Sequence, residues 1–383
     1  MRDGGPRQPR RLTSRAQVGE ARRIVVKIGS SSLTDDAGRL DPRAVAAVAD
    51  RAARVIADGS EVVIVSSGAI AASLAPLGLA ARPGDVPTQQ AAAAVGQSLL
   101  AAAWSAALGE HGLVTGQVLL AESDVIRSET YGNVRTALEA MLGLGVVPVV
   151  NENDTTATHE IRFGDNYRLA ALLAQLLGAD LLVLLTDVDA LYTAPPSSPG
   201  AARIPVVEDP DVLEGVSVGS VGSRVGTGGM VTKLAAAQHA SMTGTATVLT
   251  AASRLAEVFD GTDVGTFFPA RRGRRRSRLV WLRFATRGAG SVHVDAGAAD
   301  ALRSRRSLLA VGAMGVDGTF PPSVPVDVRD PDGTVIARGL VAYGSEDLRR
   351  MLGRDSGELR RELGERFARP VIHRDDMVLL PTE

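Results

Sequence analysis

The sequence predicts an α/β protein: a mostly parallel sheet covered by helices on both faces, followed by a small β-rich domain. Three observations predict it. Apolar runs of strand length alternate with helix-length segments from residue 24 to residue 259, the order that builds a parallel sheet buried on both sides. Small, polar turns recur directly after the runs ending at Ile28, Val65, Val150 and Leu185, so one edge of the sheet collects them. Composition then shifts at Arg271-Arg272-Gly273-Arg274-Arg275-Arg276-Ser277-Arg278, a charge run that reads as a linker. Short segments punctuated by glycine and proline follow it.

Taken in order, residues 1–20 are expected as a disordered basic tail, since residues 1–23 hold seven Arg and no apolar run of the kind a signal peptide needs. Residues 24–28 read as a buried strand ending in Gly29-Ser30-Ser31-Ser32. Residues 42–58 read as a helix, with Asp41 as N-cap and Pro42 at the first position. A second buried strand, 62–65, runs into Ser66-Ser67-Gly68-Ala69-Ile70. An alanine-rich helix (89–108), a strand (115–120), a helix (130–142) and a strand (146–150) lead to the polar turn Asn151-Glu152-Asn153-Asp154. Phe163-Gly164-Asp165-Asn166 opens a helix over 167–177, and the apolar strand 181–185 is followed by Thr186-Asp187-Val188-Asp189. A loop at 195–200, a helix at 231–242, a last strand at 246–250 and a short helix at 253–259 complete a first domain of residues 21–270. Beyond the linker (271–278), the domain 279–383 is expected to hold β segments at 279–284, 291–294, 324–329 and 335–341, with little helix apart from 345–352 and 357–363.

Composition narrows the chemistry. The chain of 383 residues has a net charge of −1, so no global field favours nucleic acid. It has no cysteine, which excludes disulfides, thiolate metal sites and a Cys nucleophile. No run of about 18 or more uncharged apolar residues suggests a membrane span, and a cytoplasmic location is expected.

The candidate site starts from Gly222-Ser223-Arg224-Val225-Gly226-Thr227-Gly228-Gly229-Met230-Val231-Thr232-Lys233. Glycines let successive backbone N–H groups point at one anion, and a helix N-terminus adds its dipole. It is not a P-loop, because no G-x-x-x-x-G-K-[ST] occurs. The glycines alone would also suit a flexible linker. The lysines shift the balance: of 42 Lys and Arg residues only Lys27 and Lys233 are lysine. Lysine kept against such a bias belongs where a compact ammonium serves and a broad guanidinium does not, as beside a transferring phosphoryl group. Two lysines converging on phosphates is the expectation.

These motifs resemble a known family. Val25-Val26-Lys27-Ile28-Gly29, Ile64-Val65-Ser66-Ser67-Gly68-Ala69-Ile70, Val149-Val150-Asn151-Glu152-Asn153-Asp154, Gly164-Asp165-Asn166, Leu185-Thr186-Asp187, Gly226 through Lys233 and Val371-Ile372-His373-Arg374-Asp375-Asp376-Met377 lie in the order found in glutamate 5-kinases. That family belongs to the amino acid kinase superfamily and carries a C-terminal PUA domain, and the resemblance covers roughly residues 20–383. It implies a three-layer sandwich and ATP-dependent phosphorylation of the side-chain carboxylate of L-glutamate, the first step of proline synthesis. It also implies Mg²⁺, inhibition by proline, and a homo-oligomer, dimer or tetramer. By the same resemblance Lys27 and Lys233 stabilise charge on the transferring phosphoryl group. Ser67, Gly68, Ala69, Asp154, Asp165 and Asn166 would bind glutamate. Lys27, Thr186, Asp187, Thr227, Gly228, Gly229, Met230, Val231, Thr232 and Lys233 would hold ATP. No protein metal ligand is assigned.

One departure stands out. The family reads Gly-Asp-Asn-Asp where this chain has Gly164-Asp165-Asn166-Tyr167, and the missing Asp is one that appears in the superfamily between the two lysines. Tyrosine brings bulk and no charge, so Tyr167 is expected to lower activity. Ala190, where the family has Gly, is a milder departure. Another carboxylate or carbamate kinase of the superfamily is a second reading. A third is a weakly active or inactive homologue that binds glutamate, proline or RNA. RNA surfaces stack bases on aromatic side chains; the C-terminal part has only Trp281, Phe284, Phe320, Tyr343 and Phe367, expected mostly as core, so the balance is against RNA.

Overall fold

A computed structural model describes residues 9–121, 124–125, 128–155, 166–194, 196–208, 230–271, 282 and 288–380. Asp165, Thr227, Gly228, Gly229 and most of the arginine linker lie outside them, as does the strand expected at 279–284 apart from Leu282. The chain divides into two units, Met1–Gly273 and Arg274–Glu383.

The first unit runs β1 (Arg23–Ile28), α1 (Pro42–Ala57), β2 (Glu61–Ser66), α2 (Ala69–Ser73), α3 (Val86–Gly109), β3 (Thr115–Leu120), α4 (Ser128–Gly143), β4 (Val147–Glu152), α5 (Asn166–Leu176), β5 (Leu181–Thr186), β6 (Leu191–Tyr192), β7 (Arg203–Ile204), α6 (Met230–Met242), β8 (Ala246–Ala251), α7 (Leu255–Phe259) and β9 (Thr266–Phe268). Its seven-stranded sheet has the order β3-β4-β2-β1-β5-β8-β9. β1 lies between β2 and β5, paired in parallel with both. Every residue of β1 and β5 is buried, as covered central strands require. Alternate residues of β1 serve opposite faces: Ile24, Val26 and Ile28 join one core cluster with Val45 and Val48 of α1 and Leu100 and Trp104 of α3. Lys27 has the opposite parity and meets Tyr167 of α5.

Local chemistry sets the helix starts. The Asp41 side chain accepts from the Arg43 N–H, with Pro42 in the first turn of α1. The helix expected from residue 89 starts at Val86, because Asp85 caps the Thr88 N–H and Pro87 occupies the first turn. α3 carries no charged residue and is by length and hydropathy able to cross a bilayer. Here Leu100, Trp104 and Leu108 on it are buried in the core.

Two further expectations change in this unit. Within the stretch read as a tail, Arg15–Glu20 forms a 3-10 helix, and Leu12 and Val18 are buried with Leu255, Val258 and Ala270. The surrounding arginines obscured two isolated apolar anchors. The strand at 246–250 is not the last, since β9 adds antiparallel to β8. Three residues after a turn at Gly265 are too few for a periodic signal.

The second unit comprises β10 (Ser291–Val294), α8 (Ala296–Arg303), β11 (Ala313–Asp317), β12 (Pro325–Arg329), β13 (Val335–Leu340), α9 (Ser345–Met351), α10 (Ser356–Leu363) and β14 (Met377–Leu379). Its sheet order is β11-β10-β12-β13-β14. Only the β10–β12 pair is parallel. Helix is more abundant than expected: α8 starts where Asp295 accepts from the Ala298 N–H, a cap masked by neighbouring glycines. Phe320, Tyr343 and Phe367 are buried, and Tyr343 stacks on Phe367 at 5.8 Å, so these rings serve the core.

Candidate active site

The carboxyl ends of β1, β2, β4 and β5 and the starts of α5 and α6 meet at one edge of the first sheet, the position where open α/β sheets bind ligands. The Ser67 N–H donates to the Ile28 carbonyl (3.1 Å), tying the turn after β2 to the end of β1. Gly68 precedes α2 with φ of 111°, a left-handed conformation that suits glycine. Ser66 is fixed from α3 by the Trp104 indole N–H (2.9 Å).

A chain of amides lines this turn. Gln97 Oε1 accepts from Asn151 Nδ2 at 2.6 Å. Asn151 Oδ1 accepts from Asn166 Nδ2 at 2.8 Å. Asn166 Nδ2 also donates to Ser67 Oγ at 2.9 Å. These bonds orient the Asn166 amide so that its nitrogen is committed, while its buried Oδ1 has no hydrogen-bond partner among the described residues. A buried acceptor left open is costly unless a ligand fills it. Sequence reading named Asn166 and Ser67 but missed Gln97 and the orienting role of Asn151. A polar side chain interrupting an alanine-rich helix was the available signal for Gln97.

Both lysines are present at this edge. Lys27 is fully buried, with Nζ 3.1 Å from the centroid of the Tyr167 ring. Lys233, in the first turn of α6, places Nζ 5.7 Å from the same centroid and 2.7 Å from Asp187 Oδ1. The Tyr167 hydroxyl donates to the Leu185 carbonyl at 3.2 Å, next to Thr186 and Asp187. Thr186 Oγ1 donates to the Val188 carbonyl (2.7 Å) and accepts from the Val188 N–H (3.0 Å), which shapes the turn presenting Asp187. Met230, Val231 and Thr232 open α6, with Thr232 exposed; Asp154 lies half-buried in the turn after β4. Lys27, Ser67, Gly68, Ala69, Asn166, Thr186, Asp187 and Lys233 therefore share one sheet edge.

Two ammonium groups beside a strand-end carboxylate, next to a set of oriented amides with one open buried acceptor, thus gather at the carboxyl edge of the sheet, an arrangement suited to an anionic ligand. The amino acid kinase family model matches residues 22–250, and the PUA domain model matches residues 290–363. The chain belongs to the amino acid kinase family. It is 51% identical over 370 residues to the glutamate 5-kinase of Thermobifida fusca, covering 96% of this chain and 95% of that one. It is 51% identical to the glutamate 5-kinase of Streptomyces coelicolor over 96% of this chain and 99% of the other. With that of Salinispora arenicola the identity is 52%, over 96% and 100%.

Proposed function

We infer that the chain transfers the γ-phosphoryl group of ATP to the side-chain carboxylate of L-glutamate, forming L-glutamyl 5-phosphate and ADP, the first step of proline synthesis. The observation that carries this reading is the convergence of the chain's two lysines on Tyr167, beside the hydrogen-bonded Asn166–Ser67 pair. The relatives, matched over almost the whole chain, support glutamate as substrate.

A glutamate side chain is ionised at neutral pH, so its oxygen attacks phosphorus without a general base. The new P–O bond forms as the bond from the γ-phosphorus to the β–γ bridging oxygen breaks, and its electron pair leaves with ADP. Catalysis then consists of positioning and of offsetting phosphate charge. Lys27 and Lys233 supply the positive charge. Asp187, paired with Lys233, holds that ammonium toward the nucleotide side. The open Asn166 Oδ1 accepts a hydrogen bond from the substrate, for which an α-ammonium group is the fitting donor.

Mg²⁺ is proposed as the companion of ATP. Among the described residues no three acidic or histidine side chains gather as a ligand set. Asp187, partly exposed at the end of β5, is the carboxylate proposed to share such an ion with phosphate oxygens and water. When bound, the ion neutralises phosphate charge. Proline, which shares glutamate's α-carboxylate and α-nitrogen, is proposed as an inhibitor. A homo-oligomer is proposed through the kinase unit, where Val95 and Leu99 of α3 and Leu119 of β3 are exposed apolar side chains.

The test is ADP release by the purified chain with Mg-ATP, with and without L-glutamate. Glutamate-dependent release is expected. Its absence would favour a protein that binds these ligands without turning them over.

A further inference from the structure

We propose that Tyr167 is a positioning residue of the phosphoryl site: its ring face gathers the ammonium groups of Lys27 and Lys233. This role depends on the kinase reading above. The face of an aromatic ring is negative and attracts a cation within about 6 Å of its centroid, most strongly where water is excluded. Both lysines satisfy this, Lys27 at 3.1 Å and Lys233 at 5.7 Å. The setting is dry, because Lys27 is fully buried and Tyr167 is 2% exposed.

The ring is held from two sides. Tyr167 is the second residue of α5, and its hydroxyl is anchored on the Leu185 carbonyl of β5. It therefore fixes its face relative to the strand end that presents Asp187. Asp187 in turn holds Lys233. Gly29 lies alongside: a Cβ there would sit in ordinary contact, 3.6 Å from both Lys27 Nζ and the Tyr167 hydroxyl, so the pair fills the space beside this glycine. Tyr167 thus links the first lysine, the second lysine and the nucleotide-side carboxylate. On this proposal the ring is the common reference for both charges.

The experiment exploits the presence of only two lysines in the chain. The full chain labelled with lysine carrying carbon-13 at Cε gives two side-chain signals by NMR, assigned with Lys27→Arg. The Lys27 signal is expected well upfield, displaced by the ring current, in the unmodified chain and in Tyr167→Phe, and at its ordinary position in Tyr167→Leu. In parallel, Tyr167→Leu is expected to lower kcat about ten-fold or more while KM for glutamate changes less than about three-fold; Tyr167→Phe keeps kcat within about three-fold. Tyr167→Met replaces Tyr167→Leu if circular-dichroism melting shows the latter unfolded. The proposal is overturned if no lysine signal is displaced, if the folded aliphatic variant turns over like the unmodified chain, or if Tyr167→Phe loses as much as Tyr167→Leu. A displaced signal in a chain without glutamate-dependent ADP release overturns the kinase reading instead, so the two failures are told apart.

Discussion

Lys27 sits in a space that suits an ammonium better than a guanidinium. Gly29 and the Tyr167 ring bound it closely, and the residue is fully buried. A planar fork in place of a compact charge would displace the ring or lose alignment with the phosphates. Lys27→Arg is therefore expected to lower kcat on the order of a hundred-fold, the scale for removing one preorganised charge-stabilising group. Single-turnover kinetics with tritiated glutamate check this, and activity close to that of the unmodified chain would contradict it. Lys27 was legible in the sequence, because only two lysines stand among so many arginines. Its partner ring was not: Tyr167 was visible only as a departure from a pattern, and residue type alone does not say where a side chain points.

At the scale of elements, the packing of α3 on α2 positions the Ser67–Gly68–Ala69 turn proposed to bind substrate. A Cβ built on Gly96 would lie 1.7 Å from the Ala69 carbonyl oxygen, a backbone atom that cannot yield without moving α2. Gly96→Ala is expected to destabilise the unit by roughly 1–3 kcal/mol, the usual range for overpacking. It should also raise KM for glutamate, because Ala69 continues the Ser67–Gly68 turn. Urea unfolding and substrate titration measure the two effects; a variant as stable and as tightly binding as the unmodified chain would show that α2 and α3 have slack. The alternation of strand and helix, and the polar turns that end the strands, were readable because burial on both faces demands continuous apolar runs. The close approach at Gly96 was hidden, since a glycine in a helix pattern looks like a weak helix former until its neighbour is known.

For the molecule as a whole, acid stability is expected to depend on a buried histidine that belongs to none of the predicted motifs. His239 of α6 is buried, its Nε2 lies 2.6 Å from Gln175 Oε1, and Nδ1 has no partner among the described residues. Burial, with Arg168 nearby, lowers its pKa from 6.5 to about 3. The folded chain thus keeps His239 neutral where the unfolded chain protonates it. Its contribution to stability is complete above about 6.5 and declines as pH falls from there toward 3. Melting temperature is expected to be level above pH 7 and to drop steadily below about pH 6, with His239→Gln flattening that slope. Equal slopes in the two proteins would assign the acid sensitivity elsewhere.

The sequence by itself determined the class of fold, the edge of the sheet that collects the polar turns, and the two lysines that stand out among the basic residues, because these depend on periodicity, turn chemistry and composition along the chain. Tertiary structure alone decided what those residues do to one another. Lys27, Tyr167 and Lys233 come from β1, α5 and α6, and Gln97, Asn151 and Asn166 from α3, β4 and α5. Ring-to-ammonium distances and the direction of an amide are set by how the layers pack, and packing between residues distant in the chain leaves no periodic trace in it.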